Sequence, residues 1–237
     1  MNNKKLSFLL PFRCIVFILI YIIMSIITGK ELDKISNSWS VVASIVNIIT
    51  ILLLVTATKN NGGYAKLINY EKGRTTPKQI TGMVFLIIFV AIGGMYLSGF
   101  LCYGVLPYAA PMLIAPIPLW LAIVNLLVLP VTTAFAEDGL YLGCGVNQIK
   151  NKYAAIIVPA FFFAVQHSVI PTLPDVRYII YRFLSFLPLT IILCCMYHKN
   201  RNPLPIIIGH AVVDLVTAIQ ILATSAIPGF YDMMCGL

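Results

Sequence analysis

Seven apolar runs, separated by short polar turns, leave this chain little choice of fold. They cover about 6–28, 39–58, 80–101, 119–148, 153–171, 177–197 and 204–226. Each is close to the ~20 residues that an α-helix needs to cross a hydrocarbon core. A backbone in lipid must satisfy its own hydrogen bonds, and continuous runs of this length do so as helices. Charged residues make up 10% of the chain, where a soluble domain carries about 25%. The expected fold is therefore all-α: one polytopic membrane helix bundle over residues 1–237, with about seven transmembrane helices.

A formal charge of +8 invites a nucleic-acid partner, but the placement of the bases excludes it. Lys59, Lys66, Lys72, Arg74 and Lys78 crowd the second loop against one acid, Glu71, and Lys150, Lys152, Lys199 and Arg201 fill two further turns. The alternate loops balance Lys30 and Lys34 with Glu31 and Asp33, or carry no charge at all, as in 102–118. That asymmetry puts the N-terminus inside and the C-terminus outside. Lys4 and Lys5 before an apolar run imitate a secretory signal. The run is too long for one, Arg13 interrupts it, and no small-x-small cleavage site follows, so it reads as a retained first span.

Four cysteines (Cys14, Cys144, Cys194 and Cys195) fall in or beside apolar runs, where a thiol behaves as a small hydrophobe. Cys102 and Cys235 can both lie outside the membrane, which leaves a disulfide between them open. The loop 102–118, with Pro107, Pro111, Pro116 and Pro118, either dips back into the bilayer or lies on its outer face. Gly139 and Gly143 form a G-x-x-x-G pair that permits close approach of another helix. There is no repeat, low-complexity segment or soluble domain.

The chemistry must lie with the few ionisable residues inside the spans. Glu137 and Asp138 end the fourth, Gln166 and His167 sit on the fifth, Arg182 on the sixth, and His210 and Asp214 on the seventh. Burying Glu137, Asp138, His167, His210 and Asp214 separately would cost on the order of 10 kcal/mol, which rivals the whole stability of a typical domain. Convergence on one polar site removes most of that cost and equips the site for acid–base work. Its imidazoles can hold a water, bind a metal or donate to an oxyanion. His210 and Asp214, at i and i+4, share a helix face, as do Phe163 and His167.

Taken singly, each of these residues has a plainer explanation as an interhelical hydrogen-bonding group. His198 reads as interfacial, and Arg177 and Arg182 as residues that snorkel outward or pair with Asp175. Depth tests the convergence. Counted from the Lys150–Lys152 turn, Glu137 and His167 lie about 20 Å in, whereas His210 is only about 10 Å from the start of its span. Bringing them together needs helix tilt, or a 198–203 turn sunk into the bundle.

Three segments resemble the motifs of the CPBP intramembrane proteases, a family that includes type II CAAX prenyl endopeptidases and bacteriocin-processing or self-immunity proteins. The first is Glu137-Asp138-Gly139-Leu140-Tyr141-Leu142-Gly143, where the family pattern has Glu-Glu-x-x-x-Arg and then Gly. The second is Phe163-x-x-x-His167 and the third His210-x-x-x-Asp214. The match covers about 121–227, the protease core that the resemblance implies. It implies Glu137 as the base that activates a water, His167 as a partner holding that water, His210 and Asp214 as the oxyanion site, and Asp138 in support. Asp138 replaces a Glu, a mild change. Leu142 replaces an Arg and can neither pair with a carboxylate nor donate, so another base must take that role or activity changes; Arg182 is one stand-in.

The resemblance implies an integral protein of a bacterial cell membrane that acts on a peptide or a lipid-modified protein. No cofactor is required if Glu137 activates the water directly. His167, His210 and Glu137 can alternatively compose a three-ligand zinc site, although the H-E-x-x-H signature is absent. Two rivals come from other classes. Leu142 motivates a non-catalytic immunity or regulatory protein of the same fold. Intramembrane acids and histidines also build proton relays in transporters, but without paired broken helices or a repeat that reading is weak.

Overall fold

The computed structural model describes residues 3–106 and 110–235. Pro107 and the side chains of Lys4 and Lys5 lie outside the described residues. A 3-10 turn (Asn3–Phe8) leads into α1 (Leu9–Thr28), followed by α2 (Leu32–Ser36), α3 (Trp39–Thr58), α4 (Gly63–Leu67) and α5 (Pro77–Tyr103). After a loop come α6 (Leu119–Asp138), α7 (Ala154–Ser168), α8 (Val176–Asn200), α9 (Leu204–Ala226) and α10 (Phe230–Cys235). The described residues contain no strand.

Local chemistry sets the helix ends. At the start of α5 the Thr76 hydroxyl accepts from the Gln79 N–H, the Gln79 side chain accepts from the Thr76 N–H, and Pro77 fills the first position. Asp175 caps α8 by accepting from the N–H groups of Arg177 and Tyr178, so its carboxylate serves the helix start. The chain leaves α1 through Gly29 at φ 63°, a left-handed turn that glycine makes without strain.

Among the described residues, six helical stretches have the length and apolar composition to cross a bilayer. Only 17% to 39% of the apolar part of each is buried within the bundle. Most of their apolar surface therefore faces outward, as Phe85, Phe89 and Leu127 do. An apolar exterior of that extent is stable only against lipid. The protein is an integral membrane protein.

The expected fifth span is the exception. α7 has 15 residues, Ala154–Ser168, which makes about 22 Å of helix against a core of about 30 Å. Pro171 and Pro174 prevent its continuation, and 169–175 runs on without helix. Ile170 of that segment is buried among Phe17, Tyr21, Val42 and Val46, and Ser36 Oγ donates to the Thr172 carbonyl at 2.9 Å. Irregular backbone at this position is shielded by α1 and α3.

α6 lies between α3 and α9, α5 packs on α8 and α9, and α7 packs on α8 with α1 behind it. Beyond Asp138 the fourth span continues as a π-helix, Gly139–Val146, with all eight residues buried. The G-x-x-x-G pair does receive a close neighbour, but from the second loop rather than another span. A Cβ at Gly139 would lie 2.6 Å from the Tyr64 hydroxyl, and one at Gly143 would lie 2.8 Å from Leu67 Cγ. Tyr64 donates to the Phe135 carbonyl at 2.5 Å, Asn147 Nδ2 to the Leu67 carbonyl at 2.7 Å and Tyr197 to the Ile68 carbonyl at 2.9 Å. The basic loop thus folds back as a plug on the π-helix.

The proline-rich loop docks on the C-terminal end of α9. Trp39 Nε1 donates to the Leu113 carbonyl at 3.2 Å, Thr224 Oγ1 to the Ile114 carbonyl at 2.7 Å, and the Ile117 N–H to Ser225 Oγ at 3.0 Å. All six cysteines are free, so Cys102 and Cys235 are not joined.

Candidate active site

The ionisable residues of α6, α7 and α9 meet. Glu137 is 3% exposed and Asp138 is fully buried, at the point where α6 passes into the π-helix. Glu137 Oε2 lies 3.7 Å from His167 Nε2 and 3.7 Å from His210 Nε2. His210 Nδ1 is 3.4 Å from Asp138 Oδ1, and its Nε2 is 3.5 Å from Asp214 Oδ2. Five residues predicted from sequence therefore share one site, despite the depth mismatch counted for His210.

The two oxygens of Glu137 have different surroundings. Oε1 accepts from Gln166 Nε2 at 2.5 Å and pairs with Arg13 Nη2 at 3.4 Å. Oε2 accepts no hydrogen bond, and neither do the buried Oδ2 atoms of Asp138 and Asp214. His167 Nδ1 lies 2.8 Å from the Phe163 carbonyl. A carbonyl only accepts, so Nδ1 donates to it, which leaves Nε2 facing Glu137 Oε2. Both ring nitrogens of His210 face carboxylate oxygens, so each calls for a donor from that ring.

Aromatic rings wall the site. Phe186 stacks on His167 at 3.7 Å between centroids, and Phe163 lies 5.4 Å from His167 and 5.8 Å from His210. Tyr141 stacks on Phe163 at 4.4 Å and donates to Gln166 Oε1 at 2.8 Å. The side chains of His167 and His210 keep 13% and 11% exposure and that of Asp214 keeps 22%.

Two arginines depart from expectation. Arg182 does not snorkel outward. It is buried, its Nε donates to the His167 carbonyl at 3.3 Å, and its guanidinium lies 4.7 Å from the Phe186 ring. The guanidinium beside Glu137 comes instead from Arg13 on α1. Sequence reasoning used Arg13 only to reject a signal peptide. A lone arginine amid an apolar span was the available signal, because such a residue must find buried partners.

The described residues contain no group of three His, Cys, Asp or Glu side chains arranged as a metal site.

Residues 118–216 match the family model for type II CAAX prenyl endopeptidases, Rce1-like. The matched segment contains Glu137, Asp138, His167, His210 and Asp214. No curated protein and no solved structure matches the chain.

Proposed function

Starting from the Rce1-like domain that residues 118–216 carry, we propose that the protein is an intramembrane endopeptidase in which Glu137 activates a water. The observation that carries this is the bare Oε2 of Glu137, turned toward two imidazoles and hydrogen-bonded to neither. Polar atoms 3.7 Å apart are too far for a direct hydrogen bond and close enough for one water to bridge. That water passes a proton to Glu137 as its oxygen attacks the carbonyl carbon of a peptide bond. His167 Nε2 accepts from the same water and fixes its orientation.

His210 keeps its Nδ1 on Asp138 and donates from Nε2 to the developing oxyanion, a bond that takes the place of its 3.5 Å approach to Asp214. The tetrahedral intermediate collapses as the C–N bond breaks, and the proton on Glu137 passes to the departing amine. Electrostatic support of this kind supplies about 10²–10³-fold per donor. The family points to a prenylated protein or a peptide as substrate, and the outward-facing apolar surface suits delivery from the bilayer.

The test uses the full chain in membranes with a farnesylated CAAX peptide, with the products identified by mass spectrometry. Wild type is expected to cleave it, and Glu137→Gln, His167→Ala and His210→Ala to fail. Full processing by folded Glu137→Gln contradicts the proposal.

A second reading rests on Leu142. It packs among Met83, Ile87, Leu193 and Cys194, and Asp138 Oδ2 has no donor. A site lacking the arginine of its motif suits a non-catalytic immunity or regulatory role. Under that reading the same three substitutions leave the cellular phenotype intact.

A further inference from the structure

We propose that Arg13 is the positioning cation of this site, supplied by the first helix from outside the family-matched segment. The inference rests on the endopeptidase reading above and adds to it a residue that no motif contains.

Arg13 is 4% exposed inside a span, where an unpaired arginine costs about 2.5–3.5 kcal/mol. The surrounding side chains receive nearly its whole guanidinium. Nε donates to Gln166 Oε1 at 2.5 Å, Nη1 donates to Thr50 Oγ1, and Nη2 donates to Asn47 Oδ1 and faces Glu137 Oε1 at 3.4 Å. Gln166 closes the ring by donating to that same Oε1. Asn47 is itself fixed, because its Nδ2 donates to Thr133 Oγ1 at 2.8 Å on α6. Glu137 is therefore gripped through one oxygen by residues of α1 and α7, with α3 behind them.

The consequence is directional. With Oε1 held, the carboxylate can present only Oε2 to His167 and His210, and it cannot rotate away from the water position. The register of α1 serves this purpose. Leu6 and Leu10 pack with Leu140, Tyr141 and Cys144, and Ser7 Oγ donates to the Cys144 carbonyl at 2.8 Å, which docks the 3-10 turn and the first turn of α1 on the π-helix just ahead of Arg13. Leu142 faces the opposite cluster of α5, α8 and α9, so a base at that position would approach the acids from the other side. The described residues offer Glu137 no other Lys or Arg ion-pair partner.

The experiment compares Arg13→Ala, Arg13→Lys and Glu137→Gln in the full chain, measuring kcat and KM on the farnesylated CAAX peptide with thermal stability alongside. Arg13→Ala should lower kcat about 100-fold with KM changed less than about threefold, since positioning acts in the transition state. Guanidinium ion at tens of millimolar should restore at least about tenfold, and sodium at equal ionic strength should restore nothing, because only the former refills the fork. Arg13→Lys, which keeps the charge but loses the fork, should fall between wild type and Arg13→Ala.

A folded Arg13→Ala protein within about threefold of wild type overturns the proposal, as does a loss that guanidinium does not reverse. If Arg13→Ala fails to accumulate, Arg13→Lys decides. Activity within about tenfold of wild type supports the assignment, and activity as low as Glu137→Gln overturns it. An active Glu137→Gln protein sinks the endopeptidase reading itself. An inactive Glu137→Gln beside a fully active Arg13→Ala sinks only the role of Arg13.

Discussion

The two sides of Glu137 are built on opposite principles. Toward α1 and α3 the polar atoms are saturated: Arg13, Gln166, Asn47, Thr50 and Thr133 form a connected set of donors and acceptors. Toward α9 three carboxylate oxygens, on Glu137, Asp138 and Asp214, accept no hydrogen bond although all are buried. A buried polar group without a partner costs about 1–3 kcal/mol, more when charged. The Glu137 carboxylate thus has one oxygen held by donors and one without any. A water can donate to such oxygens, whereas a peptide carbonyl only accepts.

The contrast breaks most sharply at Arg13. Arg13→Leu removes one member of a buried ion pair and should cost about 3–5 kcal/mol, read as a lower midpoint of thermal unfolding in detergent. Gln166→Leu removes the bridge between Arg13, Tyr141 and Glu137, and should cost about 1–3 kcal/mol by the same measurement. On the open side Asp214→Asn should change stability by less than about 1 kcal/mol, yet lower the rate of peptide cleavage about 10–100-fold. If Asp214→Asn destabilised the protein as much as Gln166→Leu, the two sides would not differ in kind. A smaller effect sharpens the boundary of the site. Gly143→Ala pushes a Cβ to 2.8 Å from Leu67 Cγ and should cost about 1 kcal/mol by overpacking the plug, with cleavage retained.

The unequal sides also explain what sequence could and could not reveal. Helical spans are legible because lipid imposes a length and a composition on every helix that crosses it. Glu137, His167 and His210 are legible as a cluster because acids and imidazoles inside apolar spans are costly to bury apart, and the structure brings them together. Arg13 is not, because its partners on α3, α6 and α7 lie far along the chain and no local rule pairs an arginine with a glutamate 124 residues away. Gly139 and Gly143 correctly announced a close approach but not its source, since small residues admit any neighbour. The truncated α7 was hidden by apolar continuity through Val169 and Ile170. Hydropathy counts residues, whereas Pro171 and Pro174 decide where the helix stops. The position of Leu142 in its motif directed attention to Arg182, when the α1 side already held a guanidinium.

The central claim is that Glu137 and His210, from different helices, act as one chemical unit. A double-mutant cycle tests it most directly, with single-turnover cleavage by Glu137→Gln, His210→Ala and the combined variant, each verified as folded. Side chains that serve one step lose their effects together. The double variant should therefore be no slower than the slower single variant, within about threefold. Losses that multiply would mean two independent sites, and would contradict the account.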